Sequence, residues 1–185
     1  MMRVIKLGGS LLQGDSLISC LNKIAGLSGG KFIVPGGGVF AEQIRLMQDI
    51  YQFDDIAAHH MAVLAMQQMA ILLNSVKPEF MLNEGLDQFD KASGNFIWFP
   101  QLSALNSAGI PASWDVTSDS LSAWLAKQLK ADSLVLVKSA RINRFSSISD
   151  LQQQGIVDAA FLSFTDQLGC PITIIDKDEF IADYV

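Results

Sequence analysis

Arg3-Val-Ile-Lys-Leu-Gly-Gly-Ser10 stands near the start of the chain, and Lys31-Phe-Ile-Val-Pro-Gly-Gly-Gly38 repeats its plan. Each is a short apolar run that ends in adjacent glycines. Such a run bounded by glycine reads as a buried strand. Glycine backbone after a strand leaves N–H groups open to an anion, and a following helix adds the positive end of its dipole. Lys6, two residues before Gly8, brings a cation to the first loop. One such loop is an ordinary tight turn; two suggest phosphorylated molecules facing each other at one sheet edge. Neither loop has the glycine spacing of the Walker motif or the dinucleotide fingerprint.

Outward from these loops, strands and helices alternate. Residues 3–7 and 31–34 read as strands, with a helix between them capped by Asp15 or Ser16 and carrying Leu17, Leu21 and Ile24. Phe40, Ile44 and Met47 mark a second helix. Ile56 to Leu73 marks a third, apolar on most faces and so expected to be packed on both sides. Phe96–Phe99 reads as a strand stopped by Pro100, residues 101–107 as a brief helix, and Ile110–Trp114 as another strand. Thr117 or Ser118 then caps a helix with Leu121, Leu125 and Leu129 on one face. Leu134–Val137 is a strand, 149–154 and 157–165 are helical, and Ile172–Ile175 is the last strand. This alternation predicts an α/β fold, a three-layer αβα sandwich around a mainly parallel sheet. Ligands of such sheets bind beyond the carboxyl ends of the strands, where both glycine loops, Trp114–Asp119 and Lys138 converge.

At 185 residues the chain fits a single domain, 1–185, with no repeat or linker. Half of it is hydrophobic, yet His59, His60, Gln67 and Gln68 interrupt Ile56–Leu73, so no run of ~18 apolar residues arises. A buried central helix and no membrane partner are expected. The opening apolar stretch is too short for a signal peptide, and Cys20 and Cys170 fit neither a disulfide framework nor a metal spacing. A cytoplasmic protein is expected. The net charge of −6, from 13 Lys plus Arg against 19 Asp plus Glu, speaks against nucleic acid as a partner.

Lys6, Gly8, Gly9 and Ser10 together supply a cation, two positions without Cβ, and a hydroxyl; Gly36, Gly37 and Gly38 form a second candidate cradle. Asp115 and Asp119 flank Val-Thr-Ser at a helix start, where a carboxylate is often only a cap or dipole partner. The functional alternative places Asp119 between two lysines whose side chains it fixes, with Lys138 as the second. Phosphoryl transfer asks mainly for positioning and charge neutralisation, which that trio provides. Asp54, Asp55 and His59 open the long helix. A histidine on an apolar helix is more often a core residue, and the adjacent His59 and His60 do not face the same way, so no metal ligands are assigned. Arg45, Arg141 and Arg144 are candidate phosphate clamps; Met61, Met66 and Met69 read as core packing.

Lys6-Leu-Gly-Gly-Ser10, Pro35-Gly-Gly-Gly38, Asp115-Val-Thr-Ser-Asp119 and Leu-Val-Leu-Val-Lys138, in this order, resemble the amino acid kinase superfamily. The likeness covers roughly residues 3–140. The runs from Asp54 to Ala65 and from Ser113 to Ala126 look most like the small kinases of methanofuran biosynthesis, which phosphorylate (5-(aminomethyl)furan-3-yl)methyl phosphate with ATP. The resemblance implies a carbamate kinase-like fold, about 1–125 forming the acceptor half and about 126–185 a shortened nucleotide half. It implies that Lys6 neutralises the transferring phosphoryl group, that Asp119 orients Lys6 and Lys138, and that Lys138 leans on the nucleotide. Gly8, Gly9 and Ser10 would serve the nucleotide phosphates; Gly36, Gly37 and Gly38 the acceptor phosphate. Asp55, Asp115 or Asp54 would meet an acceptor ammonium, with His59 nearby. Magnesium would ride on ATP, and association through helices implies a homodimer or larger. Two other readings stand beside this one: another acceptor, carboxylate or isoprenoid phosphate, or a binder without turnover. The segment after Lys138 lacks the Asp-Gly turn of larger relatives, so ATP binding is expected to be weakened, rebuilt around Arg141 or Arg144, or lost.

Overall fold

The computed structural model describes residues 1–12, 16–84, 94–143, 145–166 and 168–185. Asp15 and Arg144, named above, lie outside them. Six strands form one sheet, every neighbouring pair parallel: β1 Met2–Leu7, β2 Gly30–Pro35, β3 Met81–Asn83, β4 Asn95–Trp98, β5 Ser133–Lys138 and β6 Ile172–Asp176. Their order is β3-β4-β2-β1-β5-β6, with β1 and β2 wholly buried inside. The helices are α1 Ser16–Gly26, α2 Gly38–Tyr51, α3 Asp55–Val76, α4 Leu102–Ser107, α5 Ser118–Leu129, α6 Ile148–Gln153, α7 Phe161–Thr165 and α8 Lys177–Asp183.

Strand residues alternate between the two faces, and each face has its own core. Val4, Phe32, Val34, Leu134 and Leu136 pack with Leu121, Leu125 and Leu129 of α5 and with Phe161 of α7. Ile5, Leu7, Ile33, Val135 and Val137 pack on the other side with Leu21 and Ile24 of α1, Leu73 of α3 and Phe180 of α8. Each such fully buried side chain contributes about 1.5–3 kcal/mol relative to exposure. The expected αβα sandwich with a parallel sheet is what forms.

Four local expectations change. Residues 110–114 form no strand: Pro111 withholds an N–H, and the chain turns instead, Val116 N–H donating to Ser113 O. The three-residue edge strand β3 and the helix α8 were not foreseen. Asp176 starts α8 by accepting from the N–H groups of Asp178 and Glu179. The predicted helix over 157–165 begins only at Phe161. Finally, α3 is packed on one side, not two. Ala58, Val63, Met66, Met69 and Leu73 are buried, whereas Ile56, Leu64, Ile71 and Leu72 are exposed. By length and composition alone α3 could cross a membrane, but it lies against α2 and the sheet.

Candidate active site

Strand parity builds the centre of the site. Lys6 follows Val4 on the sheet face that α5 covers, and Lys138 follows Leu134 and Leu136 onto the same face. β1 and β5 are neighbours, so both ammonium groups emerge side by side under the first turn of α5. Asp119 is in that turn. Its Oδ2 accepts from Lys138 Nζ at 2.7 Å, and its Oδ1 lies 2.8 Å from Lys6 Nζ. The ammonium group of Lys6 has three N–H donors, so its pairing with Asp119 leaves it able to meet a further acceptor. All three residues are buried.

Burial alone would raise the Asp119 carboxyl, but the two ammonium groups outweigh it and hold it below the usual carboxylate range. Lys138 is lowered to about 8, first by burial and then by the like charge of Lys6, with Asp119 and Asp158 opposing. Two buried cations thus share one carboxylate. The surplus positive charge suits a phosphate chain.

The first turn of α5 is held from a distance. Thr117 caps it, its hydroxyl oxygen 3.5 Å from the Asp119 N–H. The Asp158 carboxylate accepts from Thr117 N–H at 2.8 Å, Thr117 Oγ1 at 2.7 Å and Ser120 N–H at 3.0 Å, and also from the Ser120 hydroxyl. Asp158 was missed in the sequence because its stretch reads as helix and the contact spans the fold.

The two glycine loops touch each other. A Cβ on Gly9 would lie 2.4 Å from Gly38 Cα, and Gly38 itself has φ +55°, so neither position takes a side chain. The expected phosphate-binding role of Gly8 and Gly36 through N–H groups is corrected: Gly8 N–H donates to Val137 O at 3.2 Å and Gly36 N–H to Leu7 O at 2.9 Å. These bonds extend the β1 ladder one residue beyond each strand end. The amides of Gly9 and Gly38, each at the start of a helical segment, have no intrahelical acceptor.

A cavity opens on either side of this contact. One is lined by Lys6, Gly8, Gly9, Ser10, Lys138, Ser139, Gly155 and Ile156, with the Ser10 and Ser139 hydroxyls 2.7 Å apart. The other, of about 190 Å³, has Gly37, Gly38, Glu42, Arg45, His59, Trp114 and Thr117 in its wall. The Arg45 guanidinium lies 3.7 Å from the Trp114 ring centroid, and Trp114 Nε1 donates to Gln48 Oε1 at 2.6 Å. His59 Nδ1 lies 3.4 Å from Ser113 O, and burial lowers its pKa, so the ring is neutral at neutral pH with Nε2 as its acceptor nitrogen.

The acidic residues expected here are elsewhere. Asp54 caps α3 by accepting from Ala57 N–H, and Asp55 accepts from Gln48 Nε2 at 2.9 Å. Asp115 is exposed, and its carbonyl accepts from Ala160 N–H. Neither Asp55 nor Asp115 lines the cavity; Glu42, one turn into α2, does. Its signal was available: Glu42, Arg45 and the Gly36–Gly38 loop belong on one end of the same helix. Arg141 is exposed and lines neither cavity. Among the described residues no three His, Cys, Asp or Glu side chains gather to hold a metal ion.

A parallel sheet with abutting glycine loops and a lysine–carboxylate–lysine centre between two cavities defines a class of phosphate-handling α/β proteins. The chain belongs to the amino acid kinase family, whose model matches residues 1–141. It is 28% identical over 143 residues to [5-(aminomethyl)furan-3-yl]methyl phosphate kinase of Methanocaldococcus jannaschii, covering 73% of this chain and 64% of that protein. The chain thus spans somewhat less than two thirds of the length of that relative. Solved structures share the fold at low identity. Uridylate kinase from Archaeoglobus fulgidus has a TM-score of 0.69 at 15% identity, covering 98% of this chain and 94% of that one. UMP kinase from Ureaplasma parvum gives 0.68 at 14%, covering 100% and 96%. Aspartate kinase from Synechocystis gives 0.67 at 13%, covering 96% of this chain and 38% of that chain.

Proposed function

We propose that this chain is an ATP-dependent kinase acting on a small, amine-bearing phosphate monoester, with [5-(aminomethyl)furan-3-yl]methyl phosphate as first candidate. The observation that carries this reading is the buried Lys6–Asp119–Lys138 centre beside the glycine loops that separate the two cavities. The γ-phosphoryl group leaves ADP and bonds to an oxygen of the acceptor phosphate, forming a diphosphate. Lys6 and Lys138 offset the charge spread over the transferring group, and Asp119 keeps the two cations together before substrates arrive.

The acceptor cavity supports a zwitterionic ligand. Arg45 and the Gly38 amide suit its phosphate, Glu42 its ammonium, and Trp114, Val63 and Met66 the apolar ring between them. No described residue forms an ion pair with Glu42. The cavity, of about 190 Å³, suits a small acceptor. The name of the Methanocaldococcus relative carries the same two groups, an aminomethyl and a phosphate.

For ATP, the Lys6, Lys138, Ser10 and Ser139 wall suits phosphates. The cavity along the free edge of β6, between Ile142, Asn143, Ile148 and Ile174, suits the base. Magnesium fits this site as an ion carried on the nucleotide, because Asp119 is committed to two lysines; when bound it supplies further charge neutralisation. The exposed apolar side chains of α2 and α3, among them Ile50, Leu64 and Ile71, suit a homodimer.

The test is ADP release by purified protein with magnesium ATP and a panel of acceptors: the aminomethylfuran phosphate, its des-amino analogue, isopentenyl phosphate, UMP and aspartate. Turnover with the first alone, or far above the rest, is expected. Turnover with UMP or aspartate in preference would replace the acceptor, and ATP binding without turnover on any would replace the kinase reading.

A further inference from the structure

The 155–158 turn contributes to both sides of the reaction centre, and this goes beyond the lysines and glycine loops. Gly155 and Ile156 line the donor cavity, whereas Thr117 and Ser118 line the acceptor cavity. Asp158 joins the two. Its carboxylate accepts four hydrogen bonds, all from Thr117 and Ser120, which bracket Asp119 in the first turn of α5. Ordinary capping needs one side-chain oxygen for one or two amides, and Thr117 already caps this helix. A carboxylate added to that cap from a segment thirty-eight residues away from Ser120 does more than cap.

Asp158 is itself held in place. Val157 and Phe161 on either side of it are buried in the core, Phe161 N–H donates to Asp158 O at 3.1 Å, and Ala160 N–H donates to Asp115 O at 2.9 Å. The stretch therefore ties the first turn of α5, and the segment just before it, to the donor wall. We propose that Asp158 is a positioning residue for phosphoryl transfer: it holds the first turn of α5, and Asp119 within it, in register with the wall of the donor cavity. Phosphates pressing on Gly155 and Ile156 then act on the same rigid unit that sets the spacing of Lys6 and Lys138. The negative charge of Asp158 also favours the protonated form of Lys138, alongside Asp119. This role rests on the kinase reading above.

The experiment is D158N, with D158E and S120A beside it. The amide of D158N keeps the size and one accepting oxygen but turns an NH2 group toward a donor. Misplacement of Asp119 by a fraction of an ångström is expected to lower kcat by about 10²-fold with KM for both substrates within about threefold of the parent. Because the Asp158 charge raises Lys138, its removal moves the alkaline limb of the kcat profile to lower pH. D158E restores the charge without the geometry, so it returns the limb but not kcat. Unchanged kcat and an unmoved limb in D158N, with only a lower Tm, would reduce Asp158 to a helix cap and overturn the proposal. Should D158N not fold, S120A removes the hydroxyl donor alone; a kcat equal to the parent would overturn the proposal equally. Should the parent protein turn over no acceptor, the kinase reading fails by that fact. NMR titration of the Lys138 side chain in unliganded D158N then decides Asp158 separately: a downward shift supports the link, and an unmoved titration refutes it.

Discussion

Lys138 Nζ and Asp119 Oδ2 lie 2.7 Å apart in a buried site, yet burial and the like charge of Lys6 bring Lys138 down to about 8, below an ordinary lysine. One carboxylate shared between two ammonium groups cannot offset burial and the like charge of Lys6 together. The pair is therefore poised, close to neutral pH, to gain from any further negative charge.

Nucleotide affinity should depend on pH with a definite sign. Below about 8 Lys138 is protonated and attracts phosphate; above it the charge, and with it the attraction, is lost. Calorimetric titration with a non-hydrolysable ATP analogue should show Kd rising from pH 7 to pH 9.5. At pH near 8 binding should also take up protons. A Kd independent of pH over that interval would contradict this account of Lys138.

Asp119→Asn keeps the shape of the side chain and removes the counter-charge of two buried cations. Breaking such a buried pair costs about 3–5 kcal/mol, so the urea midpoint should fall sharply while activity disappears. Asp119→Asn with parental stability would mean that the lysines are solvated, contrary to their burial.

Gly9→Ala would place a methyl 2.4 Å from the Gly38 backbone, which is backbone on both sides and cannot rotate away. Loss of turnover is expected, with the protein still folded by circular dichroism. Gly26→Ala is the matched control: nothing lies within 4 Å of its Cβ, so a gain of about 0.5 kcal/mol and unchanged kinetics are expected.

Glu42→Gln should raise KM for an aminated acceptor about tenfold or more and leave its des-amino analogue untouched, in keeping with the loss of a charge-assisted bond. Asp55→Asn, by contrast, should change both acceptors little, because the Asp55 carboxylate bonds Gln48 outside the cavity. Equal effects of Glu42→Gln on the two acceptors would remove the ammonium from the proposal.

Leu64→Glu combined with Ile71→Glu should convert a dimer to a monomer in light scattering, because both side chains stand exposed on the uncovered face of α3. A parent protein that is already monomeric at micromolar concentration would dispose of the dimer.

Much of this was readable from the chain because the relevant signals are local. Alternating apolar runs and glycine ends set β1, β2 and β5, and strand parity then puts Lys6 and Lys138 on one face. Asp119 followed from the helix start. What was not legible depends on distance or competition. Asp158 lies in a stretch whose alanines favour helix, and only the folded chain brings it to Thr117. The amides of Gly8 and Gly36 looked open because the ladder bonds that take them come from neighbouring strands. Ile110–Trp114 had strand composition, but Pro111 withholds an N–H and the segment turns, bringing Trp114 to the wall of the cavity beside Arg45. α3 is apolar on most faces, so its sequence does not say which face the sheet covers.

The contact between Gly9 and Gly38 makes the partition between donor and acceptor two main chains thick, with no side chain in it. A phosphoryl group crossing there would pass backbone alone, so substitutions elsewhere could alter that separation only by moving the main chain. Glu42, Arg45, His59 and Trp114 sit outside that partition, on the acceptor wall alone. Under the proposed function, exchange of side chains at those positions would change the acceptor and leave the Lys6–Asp119–Lys138 centre untouched.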